Sequence, residues 1–251
     1  NPHAWRWLFP VVGLISLLAT PLLLRLPVVS RLTPHKEERG IKEKVVDPWK
    51  NVWGLILARP DFARYQSAFM VLGAGLMLFQ PALPLFFIDG LGLSYVDLTV
   101  ALALSKGVSY ALASPAWARW MGGVDIFRFS ASVTALACLF PVLLLLAKIN
   151  LIWLYLAYIC YGVMQSGSEM SWNLSGPIFA KEKESSLFTT VNVVSVGIRG
   201  AVAPAMGSLL CGIIGATGVI GLGALCFLFA TALFMRFSRQ HQQASSNVKE
   251  P

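Results

Sequence analysis

The sequence predicts an all-α, polytopic membrane protein with seven transmembrane helices. Three observations carry this. Hydrophobic residues make up 56% of the 251-residue chain and charged residues 13%, with a mean hydropathy of +0.67, outside the range of ordinary soluble domains. The apolar residues concentrate in runs of about 20, the length that crosses a bilayer as a helix. Lysine and arginine gather at the ends of those runs, dense on one side and sparse on the other.

Taken in order, the predicted spans are Trp7 to Leu24, Gln66 to Ile88, Val96 to Trp117, Phe129 to Ala147, Leu151 to Phe179, Leu187 to Ile214, and Thr217 to Phe237. The connections are mostly short, as packed helical hairpins require. On one side lie the linker after the first span (Arg25, Arg31, Lys36, Arg39, Lys42, Lys44, Lys50, Arg59, Arg64), the turn with Arg119 and Arg128, the turn with Lys181 and Lys183, and the tail with Arg236, Arg239 and Lys249. On the other side are only Arg6 and Lys148. The positive-inside rule then places the linker and the C-terminus in the cytoplasm, and compact loops suggest a bacterial inner membrane.

The chain begins with Asn1 on the outer side, and its first span is followed by its charged flank instead of preceded by it. That order does not fit a signal peptide and favours further spans upstream. The expected organisation is a first span within residues 1–29, a cytoplasmic linker over 30–60, a six-helix bundle over 61–240 and a tail over 241–251. Within the linker, Asp47 and Pro48 read as a helix start, and Trp49, Val52, Trp53, Ile56 and Leu57 recur at helical spacing. An amphipathic helix over about 48–58 follows, lying on the membrane surface or packed on the bundle's inner end. Residues 30–46 read as a charged connector.

The net charge of +8 does not indicate nucleic acid, because the cations sit at span ends and not in a binding stripe. Cys138, Cys160, Cys211 and Cys226 are scattered singly in apolar runs, and His3, His35 and His241 lie outside the spans. No metal site or cofactor is expected from that distribution. There is no phosphate loop of the GxxxxGK[ST] type, which argues against ATP drive within this chain.

Three charges fall deep inside spans. Lys106 in the stretch ALALSKGVSY, Glu169 in QSGSEMS and Arg199 in GIRGAV each lie roughly 15–20 Å from a span end by helical rise. Charges at such depth are costly against lipid, so they face protein or water and are functional candidates. Helical spacing groups Tyr110 with Lys106, Gln165, Trp172 and Asn173 with Glu169, and Asn192 with Arg199, while Gln80 lies on the second span. The spans without a polar stripe, the first, fourth and seventh, are expected to face lipid. Glu169 either pairs with a cation to hold helices together or carries a proton. One carboxylate cannot neutralise two cations, which favours an anionic or electron-rich solute. Proline at 81, 84, 115, 177 and 204 permits kinks, and Ala203, Gly207, Cys211 and Gly215 let the sixth span approach a neighbour.

In LILARPDFARY, QPALPLFFIDGLGLS, SPAWARWMGGVDIFR and GIRGAVAPAMGSLL, taken in that order, the chain resembles the C-terminal half of a major facilitator superfamily transporter. The resemblance makes the seven spans the family's sixth to twelfth helices and the last six an MFS-type six-helix bundle. It implies a secondary transporter of a small solute, working by alternating access against an N-terminal half of the same transporter. The deep charges and the polar residues grouped with them then read as a substrate site, Lys106, Arg199, Tyr110, Gln80, Gln165, Trp172, Asn173 and Asn192, with Glu169, the one mid-span carboxylate, for proton coupling. The family's inner turn pattern is incomplete here, so Asp125 and Arg128 either form its gating pair or are end charges. Two other readings compete. A receptor or assembly subunit could use the same fold, and Ser168 could be a hydrolase nucleophile. The latter is disfavoured because no span supplies a histidine base.

Overall fold

The fold was read from a computed structural model that describes Leu14, Leu17 and residues 53–180 and 185–247. The first span apart from those two residues, the connector 30–46, the helix start at Asp47 and Pro48, the cations at 181 and 183, and the last residues of the tail lie outside the described residues. Residues Asn1–Lys44 and Val45–Pro251 form separate compact units.

Every regular element among the described residues is helical. Residues 53–58 are helical, with Trp53 and Leu57 exposed while Leu55 and Ile56 pack on the core. Helix α1 (Pro60–Phe79) starts six residues before the expected span, because Pro60 presets the first turn and Asp61 stands where the helix dipole favours an acid. It ends at Gln80, where Pro81 offers no N–H. A four-residue helix, α2 (Ala82–Leu85), and a π-helical turn, Phe86–Gly90, complete the crossing. The predicted second span is thus a broken helix and not a continuous one, as its prolines suggested.

Gly92 turns the chain at φ +60°, a conformation that glycine adopts without penalty. Ser94 then caps α3 (Tyr95–Thr99) in a reciprocal capping box with Asp97. The helix continues through a π-helical segment, Val100–Lys106, into α4 (Gly107–Met121). Helix α5 (Ile126–Leu146) is capped by Asp125, whose carboxylate accepts from the backbone N–H groups of Phe127 and Arg128 at 3.0 and 3.1 Å. Helix α6 (Ile152–Ala180) follows. The last element, α7 (Ser186–Asn247), is broken at Gly215, φ 71° and ψ 168°, between the sixth and seventh predicted spans. By length and apolarity, α1, the helix Tyr95–Met121, α5 and α7 can each cross a membrane.

Helix α1 packs mainly on α7, α5 on α6 and α7, and α4 on α6. Glycine sets the closest approaches. A Cβ at Gly207 would strike the Leu78 carbonyl, and one at Gly162 the Lys106 carbonyl and Ser109 hydroxyl. The four-residue spacing noted in the sixth span therefore brings α7 against the end of α1. The charge-free fourth span, α5, is half buried, with Phe129, Phe140 and Leu144 in the core and Leu139 and Val142 exposed. Its lack of charge permits lipid contact on one face without removing it from the core.

Two polar ties position the site. Tyr65 donates to the Ser171 carbonyl at 2.9 Å and contacts its hydroxyl at 2.8 Å, and Ser130 reaches that hydroxyl at 2.6 Å. All three side chains are buried, so α1, α5 and α6 are fixed by bonds that no water replaces. At the end of α1, Arg59 forms a two-pronged ion pair with Asp61 and donates to the Phe179 carbonyl at 2.9 Å. The hydrogen bond to Asp61 raises the Arg59 pKa above its ordinary value, against the opposing effect of burial. The first turn of α1 is thereby held to the last turn of α6.

Candidate functional site

Two of the three deep charges, Glu169 and Arg199, meet at a cleft of about 390 Å³ walled by α1, α6 and α7. Phe69 and Gly73 from α1, Ser168, Glu169, Trp172 and Asn173 from α6, and Arg199 from α7 line it. Phe69 and Gly73 stand one helical turn apart, so both face α7. Trp172, Asn173 and Glu169 do the same from α6.

Arg199 is held on α1. Its side chain is 8% exposed, one guanidinium nitrogen donates to the Phe69 carbonyl at 3.2 Å, and the guanidinium lies 5.7 Å from the centre of the Phe69 ring. Gly73 makes this seat possible, because a Cβ there would collide with the guanidinium. Its Nε has no hydrogen-bond partner. A guanidinium with unfilled donors in low-polarity surroundings attracts an oxyanion that can take two of them together.

Glu169 lies on the same cleft but is not ion-paired. Neither Lys106 nor Arg199 comes within 4.0 Å of a described carboxylate, whereas Arg59 and Asp61 do form such a pair. Two neutral donors hold Glu169 instead. The Tyr110 hydroxyl donates to one oxygen at 2.5 Å across from α4, and the Gln165 amide donates to the other at 2.9 Å from one turn back on α6. The carboxylate is exposed. Lys106 is half-buried, with its ammonium 4.8 Å from the centre of the Tyr161 ring. That contact offsets part of the cost of its depth.

The structure brings Glu169, Arg199, Trp172 and Asn173 to one cleft and adds Tyr110 and Gln165 behind Glu169. Lys106 stands apart from the cleft wall on Tyr161. Gln80 is exposed at the break after α1. Asn192 is buried and donates to the Ser175 hydroxyl at 2.8 Å, tying α7 to α6. Neither Gln80 nor Asn192 lines the cleft. Asp125 caps α5 and accepts from the Ser238 hydroxyl at 3.1 Å. Arg128 is exposed and lines a separate cleft with Ser238 and Arg239.

Sequence reasoning did not find Phe69 and Gly73 as the seat of Arg199, nor Tyr161 under Lys106. The one available signal was the four-residue spacing of an aromatic and a glycine in the second span. Among the described residues no cluster of histidine, cysteine, aspartate and glutamate could hold a metal ion. Compared with known proteins, residues 2–177 match the sequence model of the Major Facilitator Superfamily. No curated protein and no solved structure matches the chain.

Proposed function

The chain belongs to the Major Facilitator Superfamily, whose members are transporters, and from that premise we propose that it is the C-terminal half of a proton-coupled carrier for a small anionic solute. The reading rests on one observation. Two opposite charges deep in the bundle, Glu169 and Arg199, line one cleft without pairing with each other. A structural ion pair would have brought them together, and it is Arg199, buried with an unpartnered Nε, that is costly to leave without an anion.

In this reading Arg199 receives the solute's oxyanion, and Trp172 and Asn173 bound the space beside it. Glu169 takes up and releases the coupled proton, with the Tyr110 hydroxyl and the Gln165 amide holding its carboxylate in position. Lys106 adds positive potential nearby. Alternating access then requires a second half, supplied upstream in the same transporter, against which this bundle rocks. On this reading the compact loops place the bundle in a bacterial inner membrane, and the distribution of lysine and arginine puts its C-terminus in the cytoplasm. Asp125 and Arg128 remain candidates for the inner gate, and Asn192 acts by tying α7 to α6.

The test is Glu169→Gln in the full-length protein in proteoliposomes. Gradient-driven transport should be lost while counterflow exchange of solute survives. Equal loss of both would remove the proton role from Glu169. A protein that binds solute and never moves it would instead support a receptor on the same fold.

A further inference from the structure

Resting on the carrier reading, we infer that the solute is an amphipathic organic anion, with its acidic head on Arg199 and its hydrocarbon part in an apolar groove beyond it. Arg199 lines two spaces. One is the polar cleft with Glu169; the other is a groove of about 410 Å³ between α1 and α7. Met70, Ala74 and Leu78 of α1 face Val202, Met206 and Leu222 of α7 across it, and apart from Arg199 every lining side chain is apolar. Both volumes fall in the range of small-molecule sites.

The chemistry of the junction selects the solute class. The guanidinium is buried and donates to a single backbone carbonyl, while its Nε has no partner. A carboxylate or phosphate fills a planar pair of such donors. A neutral apolar molecule would occupy the groove and leave the guanidinium unsatisfied. A small hydrophilic anion would satisfy the guanidinium and leave the groove unused. Only a molecule with both parts uses the whole of what Arg199 borders.

Depth separates a transported amphiphile from a structural phospholipid. Arg199 is thirteen residues from Ser186, where α7 begins, or about 20 Å along the helix. A bilayer phospholipid keeps its phosphate at the interface, so it cannot deliver that group to Arg199. A single-chain amphiphile entering by the cleft can.

The test uses the full-length protein in nanodiscs with radiolabelled octanoate, butyrate and octanol. Octanoate is expected to bind saturably and at least tenfold more tightly than either of the others, after correction for partition into empty discs. Arg199→Gln should abolish saturable octanoate binding. Ala74→Phe, and independently Met206→Trp, should fill the groove and lower the octanoate-to-butyrate ratio at least tenfold, with monodisperse elution checking the fold. Equal affinity for octanoate and butyrate, or a ratio unmoved by both groove substitutions, overturns the inference. So does octanoate binding that survives Arg199→Gln, or a phospholipid that copurifies with the protein, is lost in Arg199→Gln and blocks octanoate. Octanoate that binds as expected but never crosses a proteoliposome membrane sinks the carrier reading and leaves this site standing. Proton-driven transport of a hydrophilic solute that both groove variants retain does the reverse.

Discussion

Replacing Gly73 with alanine tests the seat of Arg199 with a single methyl group. A Cβ at this position overlaps the guanidinium, and the arginine must leave because its far end moves more easily than the α1 backbone. Its departure loses the charge-assisted hydrogen bond to the Phe69 carbonyl, about 1.5–3 kcal/mol, and the contact with the Phe69 ring, about 0.5–1 kcal/mol. Alanine in a helix interior returns about 0.5–1 kcal/mol relative to glycine. The net expectation is a destabilisation of about 1–3 kcal/mol. In an Arg199→Ala background there is nothing to displace, so the same substitution should be stabilising by about 0.5–1 kcal/mol. The four proteins form a double-mutant cycle with a coupling energy of about 2–4 kcal/mol, measured by thermal unfolding in detergent with solute affinity followed in parallel. An equal cost of Gly73→Ala in both backgrounds would refute the assignment, because the methyl group would then be meeting something other than Arg199.

Substitutions at two further positions separate packing from function. Tyr65→Phe removes the hydroxyl that ties α1 to Ser171 in a buried setting and should cost about 1–3 kcal/mol; unchanged thermal stability would mean that the tie contributes nothing. Asp125→Ala should cost about 1 kcal/mol through loss of the α5 cap, while Asp125→Asn keeps one capping oxygen, gives up a second acceptor, and should cost less than the alanine. If Asp125→Asn loses transport at unchanged stability, the charge serves the gate as well as the cap.

The order and ends of the helices were legible because hydropathy and breakers act locally. The runs from Phe129 and Leu151 appear as α5 and α6 within about three residues, and Gly215 breaks α7 where the sixth and seventh spans were separated. The second span was less legible, since Asp61 and Arg64 look too polar for a membrane helix until Pro60 is seen to begin it at the interface. Candidate charges were legible for a different reason, because depth alone singles out Lys106, Glu169 and Arg199. Their partners were not. A helical stripe gives a face but not the rotation of that face against its neighbours, so a tyrosine beside Glu169 could not be told from a lysine. The stripe on the third span also assumed 3.6 residues per turn, and the π-helical segment Val100–Lys106 departs from that period between Thr99 and Tyr110. Asn192 illustrates the remaining gap, since only the position of Ser175 reveals that its amide joins two helices.

The central claim is that the cleft bearing Glu169 and Arg199 admits water and solute. It is tested most directly by placing single cysteines in a version of the full-length protein whose Cys138, Cys160, Cys211 and Cys226 have been replaced. Ser168→Cys and Asn173→Cys, on the cleft wall, should react with a membrane-impermeant thiol reagent and be protected by solute, whereas Leu139→Cys, on the exposed face of α5, should stay unlabelled within lipid. Cleft cysteines that react no faster than the one at position 139, with or without solute, would contradict the account.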